Sequence, residues 1–164
     1  MPNITPCLWF DGNAEEAARF YTTTFPNSRI DKVVDAAAET PSNQKGDVIT
    51  VEFTLDGSKF VGLNGGPDFK FNEAISFVIE CQDQAEVDRY WDVLIKGGGE
   101  HSVCGWLKDR FGVSWQVVPR QLNEMMESDD RAAAERATKA MLQMTKIDVA
   151  KLEEAYRGEP ALAR

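Results

Sequence analysis

Two periods run through this chain. In AISFVIE, residues 74–80, Ile75, Phe77 and Ile79 fall on one side, while Ala74, Ser76, Val78 and Glu80 fall on the other. The same period-two alternation runs through VITVEFTL, where Ile49, Val51, Phe53 and Leu55 oppose Thr50 and Glu52. Both stretches read as strands with one buried face. Asp56-Gly57, between VITVEFTL and SKFVGL, is a two-residue hairpin signal. Elsewhere the period lengthens to that of a helix. Ala17, Phe20, Tyr21 and Phe25 form a stripe behind the capping box Asn13-Ala14-Glu15-Glu16, and Pro26 stops the run. Asp83-Gln84-Ala85-Glu86 opens a second helix with Val87, Tyr90, Trp91, Leu94 and Ile95 on one side. Gly97-Gly98-Gly99 ends it.

These elements repeat. At an offset of about 70 residues Asn13 meets Asp83, Glu16 meets Glu86, Arg19 meets Arg89, and Phe20-Tyr21 meets Tyr90-Trp91. Each helix follows a short apolar strand, PCLWF or AISFVIE, and precedes further strand-like runs: SRIDKVV and the Asp56-Gly57 hairpin in one copy, HSVCGW and WLKDRFGVSWQVV in the other. The second hairpin turns at Phe111-Gly112, which places Phe60 over Trp115 and Val61 over Gln116 at an offset of about 55. The pattern predicts an α+β fold of two βαβββ units, about residues 4–64 and 74–118, joined through Gly65-Gly66-Pro67-Asp68. Each helix covers one face of its own strands. The uncovered faces are expected to form a curved mixed sheet around a cavity, the natural place for a ligand.

The remainder differs from both repeats. A helix is predicted from Asp129 to Met144, with Ala137, Ala140, Met141 and Met144 on one side. A second follows, with Asp148 as N-cap, Ile147 and Leu152 as a hydrophobic staple, and Gly158 as C-cap. The chain therefore divides into a domain over residues 1–120 and a C-terminal helical extension over 121–164. The apolar side of that hairpin must be buried, either on its own domain or as a clasp on a second subunit.

Composition narrows the function classes. With 43% hydrophobic and 27% charged residues the chain is globular. A net charge of −9 opposes binding to nucleic acid or to an anionic membrane surface. No run of 18 apolar residues and no signal-peptide pattern is present, so a cytoplasmic location is expected. Cys7, Cys81 and Cys104 are odd in number and far apart, which suits buried free thiols in a reducing compartment.

TPCLWFDGNAEEAARFY, WLKDRFGVSWQVVP and KAMLQMTKIDVAKLEEAY resemble the PhnB-like group of the vicinal-oxygen-chelate superfamily, a group labelled demethylubiquinone 3-methyltransferase. The superfamily includes glyoxalases, extradiol dioxygenases and bleomycin-binding resistance proteins. The resemblance implies a U-shaped sheet around a cavity, commonly in a homodimer. In metal-using members, His, Glu or Gln ligands project from the first and last strand of each unit. Those positions fall here near Pro6, Val61, Ala74 or Ser76, and Gln116. Three of the four offer no such side chain, which leaves Gln116 as the remnant of a ligand position.

The residue chemistry agrees with that reading. A catalytic zinc or iron site needs about three converging His, Cys or carboxylate side chains, yet His101 is the only histidine. A carboxylate and thiol set of Glu52, Glu80, Cys104 and Asp109 is the remaining option, and no spacing singles it out. We therefore expect no metal and no cofactor. Strand parity places Thr50, Glu52, Ser76 and Gln116 in the cavity, with Ser114 and Val118 on the side of Gln116 and Trp106 and Lys108 joining them. The expected partner is a small, polar or partly aromatic molecule. A metal-independent binding module in a homodimer fits best. The alternatives are a glyoxalase- or dioxygenase-type enzyme, with Glu52 as base, or a methyltransferase as the group label says. The last lacks a glycine-rich turn after a strand, because Gly97-Gly98-Gly99 follows a helix.

Overall fold

The computed structural model describes residues 2–158. The chain forms two compact units, one up to Phe71 and one from Asn72 onward. The first runs β1 (Cys7–Phe10), α1 (Ala14–Thr24), β2 (Arg29–Asp35), β3 (Val48–Leu55) and β4 (Ser58–Asn64). The second runs β5 (Ser76–Cys81), α2 (Gln84–Ile95), β6 (Glu100–His101), β7 (Trp106–Lys108) and β8 (Ser114–Pro119). It continues into α3 (Arg120–Met126), α4 (Arg131–Met141) and α5 (Val149–Arg157). The strand orders are β1-β4-β3-β2 and β5-β8-β7-β6, so the predicted repeat is one topology used twice. In each copy the outermost pair is parallel, Cys7 beside Val61 and Val78 beside Gln116, and the other pairs are antiparallel. This is an α+β fold.

The core of each unit is the apolar face that strand parity marked. Ala14, Ala17, Ala18 and Tyr21 of α1 are buried, as are Val51, Phe53 and Phe60 of the first sheet, with Phe53 stacked on Phe60 at 5.5 Å. In the second unit Val87, Tyr90, Trp91 and Leu94 of α2 are buried, as are Leu107, Trp115 and Val117. Large side chains of this kind each contribute about 1.5–3 kcal/mol on burial. Asp56 and Gly57 take φ of 43° and 82°, the left-handed pair that a two-residue hairpin needs.

Several local expectations are corrected. Asn13 stands at the N-cap of α1 without a side-chain cap bond. The Ala14 amide donates instead to Oδ1 of Asn64 at 2.9 Å, from the end of β4. Asp83 does cap α2, accepting from the Glu86 amide at 3.0 Å, and Glu86 reaches back to the Gln82 amide at 2.8 Å. HSVCGW is not one strand. It leaves β6 after His101 and turns through Cys104 and Gly105, both at positive φ. A Cβ at Gly105 would lie 2.9 Å from the Val117 carbonyl oxygen, so this crossing over β8 admits only glycine. Ile75 precedes β5 and is 73% exposed, not packed under the helix. Cys81 is buried, Cys104 half-buried and Cys7 exposed, so only one of the three thiols is fully buried.

The helices after β8 pack on the second unit. Val118, Leu122, Met125, Ala137, Ile147 and Leu152 share one buried cluster. The segment before α5 is tied down by main-chain bonds, Cys104 to Met144 and Gly105 to Thr145, both at 2.8 Å. Gln84 accepts from the Val149 amide at 2.8 Å and donates to the Ile147 carbonyl at 3.1 Å, and Lys146 pairs with Asp88 at 2.6 Å. The N-cap Asp148 and the C-cap Gly158, at φ 76°, stand where the sequence put them. The predicted Asp129–Met144 helix is shorter, and α3 was not anticipated. Residues 159–164 of the extension lie outside the described residues.

Candidate ligand-binding surface

Strand alternation gives the second sheet two unlike faces. One is the aromatic and aliphatic face under α2. On the other, register places Ser76 beside Ser114, Val78 beside Gln116, Trp106 beside Gln116, and Lys108 beside Ser114. Four of the six predicted cavity residues, Ser76, Trp106, Lys108 and Gln116, therefore share one face of one sheet. All four are half-buried. The Gln116 amide donates to the Ser76 hydroxyl at 2.9 Å, bridging β8 and β5. Val78, next to this pair, is 60% exposed.

Lys108 forms an ion pair with Glu73, which lies just ahead of β5. That hydrogen bond and charge hold the Glu73 carboxyl below its ordinary range and the Lys108 ammonium above its own, with Glu100 adding to the latter. A cleft of about 100 Å³ opens here, with Glu73, Glu100, His101, Trp106, Lys108 and Ser114 among its lining residues. Ser114 is 2% exposed, and its hydroxyl has no hydrogen-bond partner. His101 is exposed on β6 and accepts the Trp91 indole N–H on Nδ1 at 3.1 Å.

Thr50 and Glu52 belong to the first unit. On β3 they alternate with the buried Val51 and Phe53, so they lie on the face away from α1. Glu52 is exposed, with Val61 beside it on one strand and Lys32 on the other. The neighbour of Val61 on β1 is Cys7, one residue beyond the expected Pro6, whose carbonyl accepts the Val61 amide at 2.9 Å.

The remaining acidic candidates do not converge. Asp109 is buried and accepts three N–H groups, from Phe111 at 2.8 Å, Val113 at 3.1 Å and the Trp115 indole at 2.9 Å. It holds the β7–β8 turn. Among the described residues no three His, Cys, Asp or Glu side chains lie together as metal ligands do. Sequence reasoning did not single out Glu73 or Glu100. Glu73 sits in an irregular segment without periodicity, so only its pairing with Lys108 brings it to the site.

The sequence of residues 2–118 matches the family described as 3-demethylubiquinone-9 3-methyltransferase. Among solved structures, the chain is 32% identical to a Bacillus cereus PhnB protein carrying the same methyltransferase name. That match covers 72% of this chain and 99% of the other, with a TM-score of 0.64. Protein PA1353 from Pseudomonas aeruginosa shares the fold at 20% identity, over 73% of this chain and 98% of the other, with a TM-score of 0.59. No protein of curated function matches. Among the described residues no helix is long and apolar enough to cross a membrane.

Proposed function

The chain belongs to the 3-demethylubiquinone-9 3-methyltransferase family, and on that premise we propose that it is a small-molecule-binding module acting as a homodimer, without methyl transfer. The observation that carries this reading is the polar face of the second sheet. Ser76, Gln116, Trp106 and Lys108 stand together there, opposite a wholly apolar face, and a cleft opens beside them. Hydroxyl, amide, indole and ammonium groups on rigid strands suit recognition of a small polar or aromatic molecule. Val78, exposed beside Gln116 on this face, is where a partner subunit would cover the sheet.

The groups implied by the family name and by the superfamily resemblance fit these residues poorly. At the strand positions where metal-using relatives carry ligands, this chain has Pro6 or Cys7, Val61, Ala74 or Ser76, and Gln116. The one amide among them is already bonded to Ser76. That donor set does not suit zinc or iron. S-adenosylmethionine is commonly held by a glycine-rich turn that leads from a strand into a helix in a doubly wound sheet. Here Gly97 and Gly98 follow α2 at positive φ, and the Gly99 amide donates to Ile95 at 2.9 Å. The glycine run terminates a helix.

Native mass spectrometry of the freshly purified full chain tests the proposal. The expected species is a dimer, free of metal, with an organic adduct. A stoichiometric divalent metal would overturn the reading in favour of a glyoxalase- or dioxygenase-type enzyme. Tight binding of S-adenosylmethionine in calorimetry would restore methyl transfer.

A further inference from the structure

The cleft over β7 and β8 combines two features that packing alone does not explain. A hydroxyl buried to 98% stands without a partner, although buried polar groups are almost always hydrogen-bonded. Beside it in register stands Lys108, whose only ion-pair partner among the described residues is Glu73. Glu73 belongs to no helix or strand, and its side chain is 62% exposed. An exposed carboxylate paired with the lysine of a cleft that also holds an unused hydrogen-bond donor behaves as a stand-in for something else.

We infer that this cleft is a carboxylate subsite, and that Glu73 occupies it until the carboxylate of a small organic acid displaces it from Lys108. The inference rests on the small-molecule-binding reading above and specifies its ligand class. One oxygen of the incoming carboxylate takes the Lys108 ammonium, and the other accepts the Ser114 hydroxyl proton. The remainder of the acid lies along the Trp106 indole at the cleft wall. A volume of about 100 Å³, well below the roughly 300–1,000 Å³ of drug-sized pockets, accommodates a head group and not a whole drug-sized molecule. Replacing one carboxylate by another preserves the local charge, which matters because Glu100 already places a second negative group in the lining. A neutral ligand would leave Lys108 with Glu73 and gain only the hydroxyl.

The test uses the full chain, benzoate as probe and benzamide as its neutral isostere. Calorimetry gives affinity, and the Trp106 indole resonance, assigned through Trp106→Phe, gives location. Benzoate is expected to shift that resonance and to bind at least about tenfold more tightly than benzamide, the difference made by a charge-assisted bond. Glu73→Gln should tighten benzoate by about two- to sixfold, because it removes a competitor that holds Lys108 as an exposed ion pair does. Lys108→Met should abolish the preference for benzoate, and Ser114→Ala should weaken benzoate severalfold while leaving the fold intact. Glu73→Gln leaving benzoate unchanged or weaker would overturn the inference, as would equal affinity for benzoate and benzamide. If benzoate fails but neutral compounds shift the Trp106 resonance, the carboxylate subsite falls and the binding-module reading stands. If neither benzoate nor a broad set of neutral and basic metabolites shifts it in the wild type or in Glu73→Gln, both fall.

Discussion

Ser114→Ala should make this protein more stable. A buried hydroxyl without a partner costs about 1–3 kcal/mol relative to its hydrated state, and Ser114 is such a group at 2% exposure. Deleting one oxygen leaves a void of about 15 Å³, which costs about 0.4 kcal/mol at 24 cal/mol per Å³. Alanine in place of serine on a strand costs a few tenths more. The net expectation is a gain of about 1 kcal/mol, or about 2–4 °C in Tm for a chain of this size. Urea unfolding followed by tryptophan fluorescence measures it, with an unchanged m-value showing that the unfolded ensemble is unaltered. Thr54→Val is the control. Thr54 is also buried, at 3%, but its hydroxyl donates to Asp31, so its removal should lower stability. Opposite signs for the two variants follow only if partnering decides the value of a buried hydroxyl. Loss of stability in Ser114→Ala would refute the reasoning, and would mean that trapped water satisfies the hydroxyl.

Other expectations follow from specific contacts. Asn64→Ala removes the acceptor of the Ala14 amide and the donor to the Val48 carbonyl, both at 2.9 Å, and should cost about 2–3 kcal/mol, whereas Asn13→Ala should cost under about 0.5; chemical denaturation compares them. Asp109→Ala strips the acceptor from three N–H groups and should cost about 3 kcal/mol, with loss of amide protection at Phe111 and Val113 in hydrogen exchange. Burial, with Glu86 and Asp83 nearby, pushes the Cys81 thiol up from 9.0 to about 12. Its folded form therefore holds a proton that the unfolded form loses above pH 9, so its contribution to stability is intact below pH 9 and declines as pH rises toward 12. An alkaline loss of stability that is absent in Cys81→Ala is the expected result, and brief iodoacetamide treatment at pH 8 should label the exposed Cys7 and spare Cys81.

Much of this molecule was set by local pattern. Period-two runs fixed which residues of β3, β5 and β8 lie on which face, because adjacent side chains on a strand must point oppositely. Trp106 and Lys108 share a side of β7 for that reason, as Ser114 and Gln116 do on β8, and the register of the two strands brings both pairs onto one face. The duplication was visible because each copy repeats its caps, its helix stripe and its turn glycine at fixed offsets, and the two sheets have the same strand order. Asp83 and Asp148 were legible as N-caps because the bond each accepts comes from an amide three residues ahead.

What tertiary structure decided involves residues distant in sequence. Asn13 makes no side-chain cap bond, and the first amide of α1, Ala14, is instead satisfied by Asn64, 50 residues beyond it. HSVCGW alternates well enough to read as a strand, yet main-chain bonds to Met144 and Thr145 draw Cys104 and Gly105 into a turn. The helical extension carries an apolar side in any reading, and only the fold buries it against Val118 and the end of β8. Glu73 has no periodicity to mark it, and its place beside Lys108 comes from where the chain must pass to enter β5. Local sequence sets which way a side chain faces. Which group it then meets depends on how distant segments pack, and that is where Ser114 was left buried without a partner.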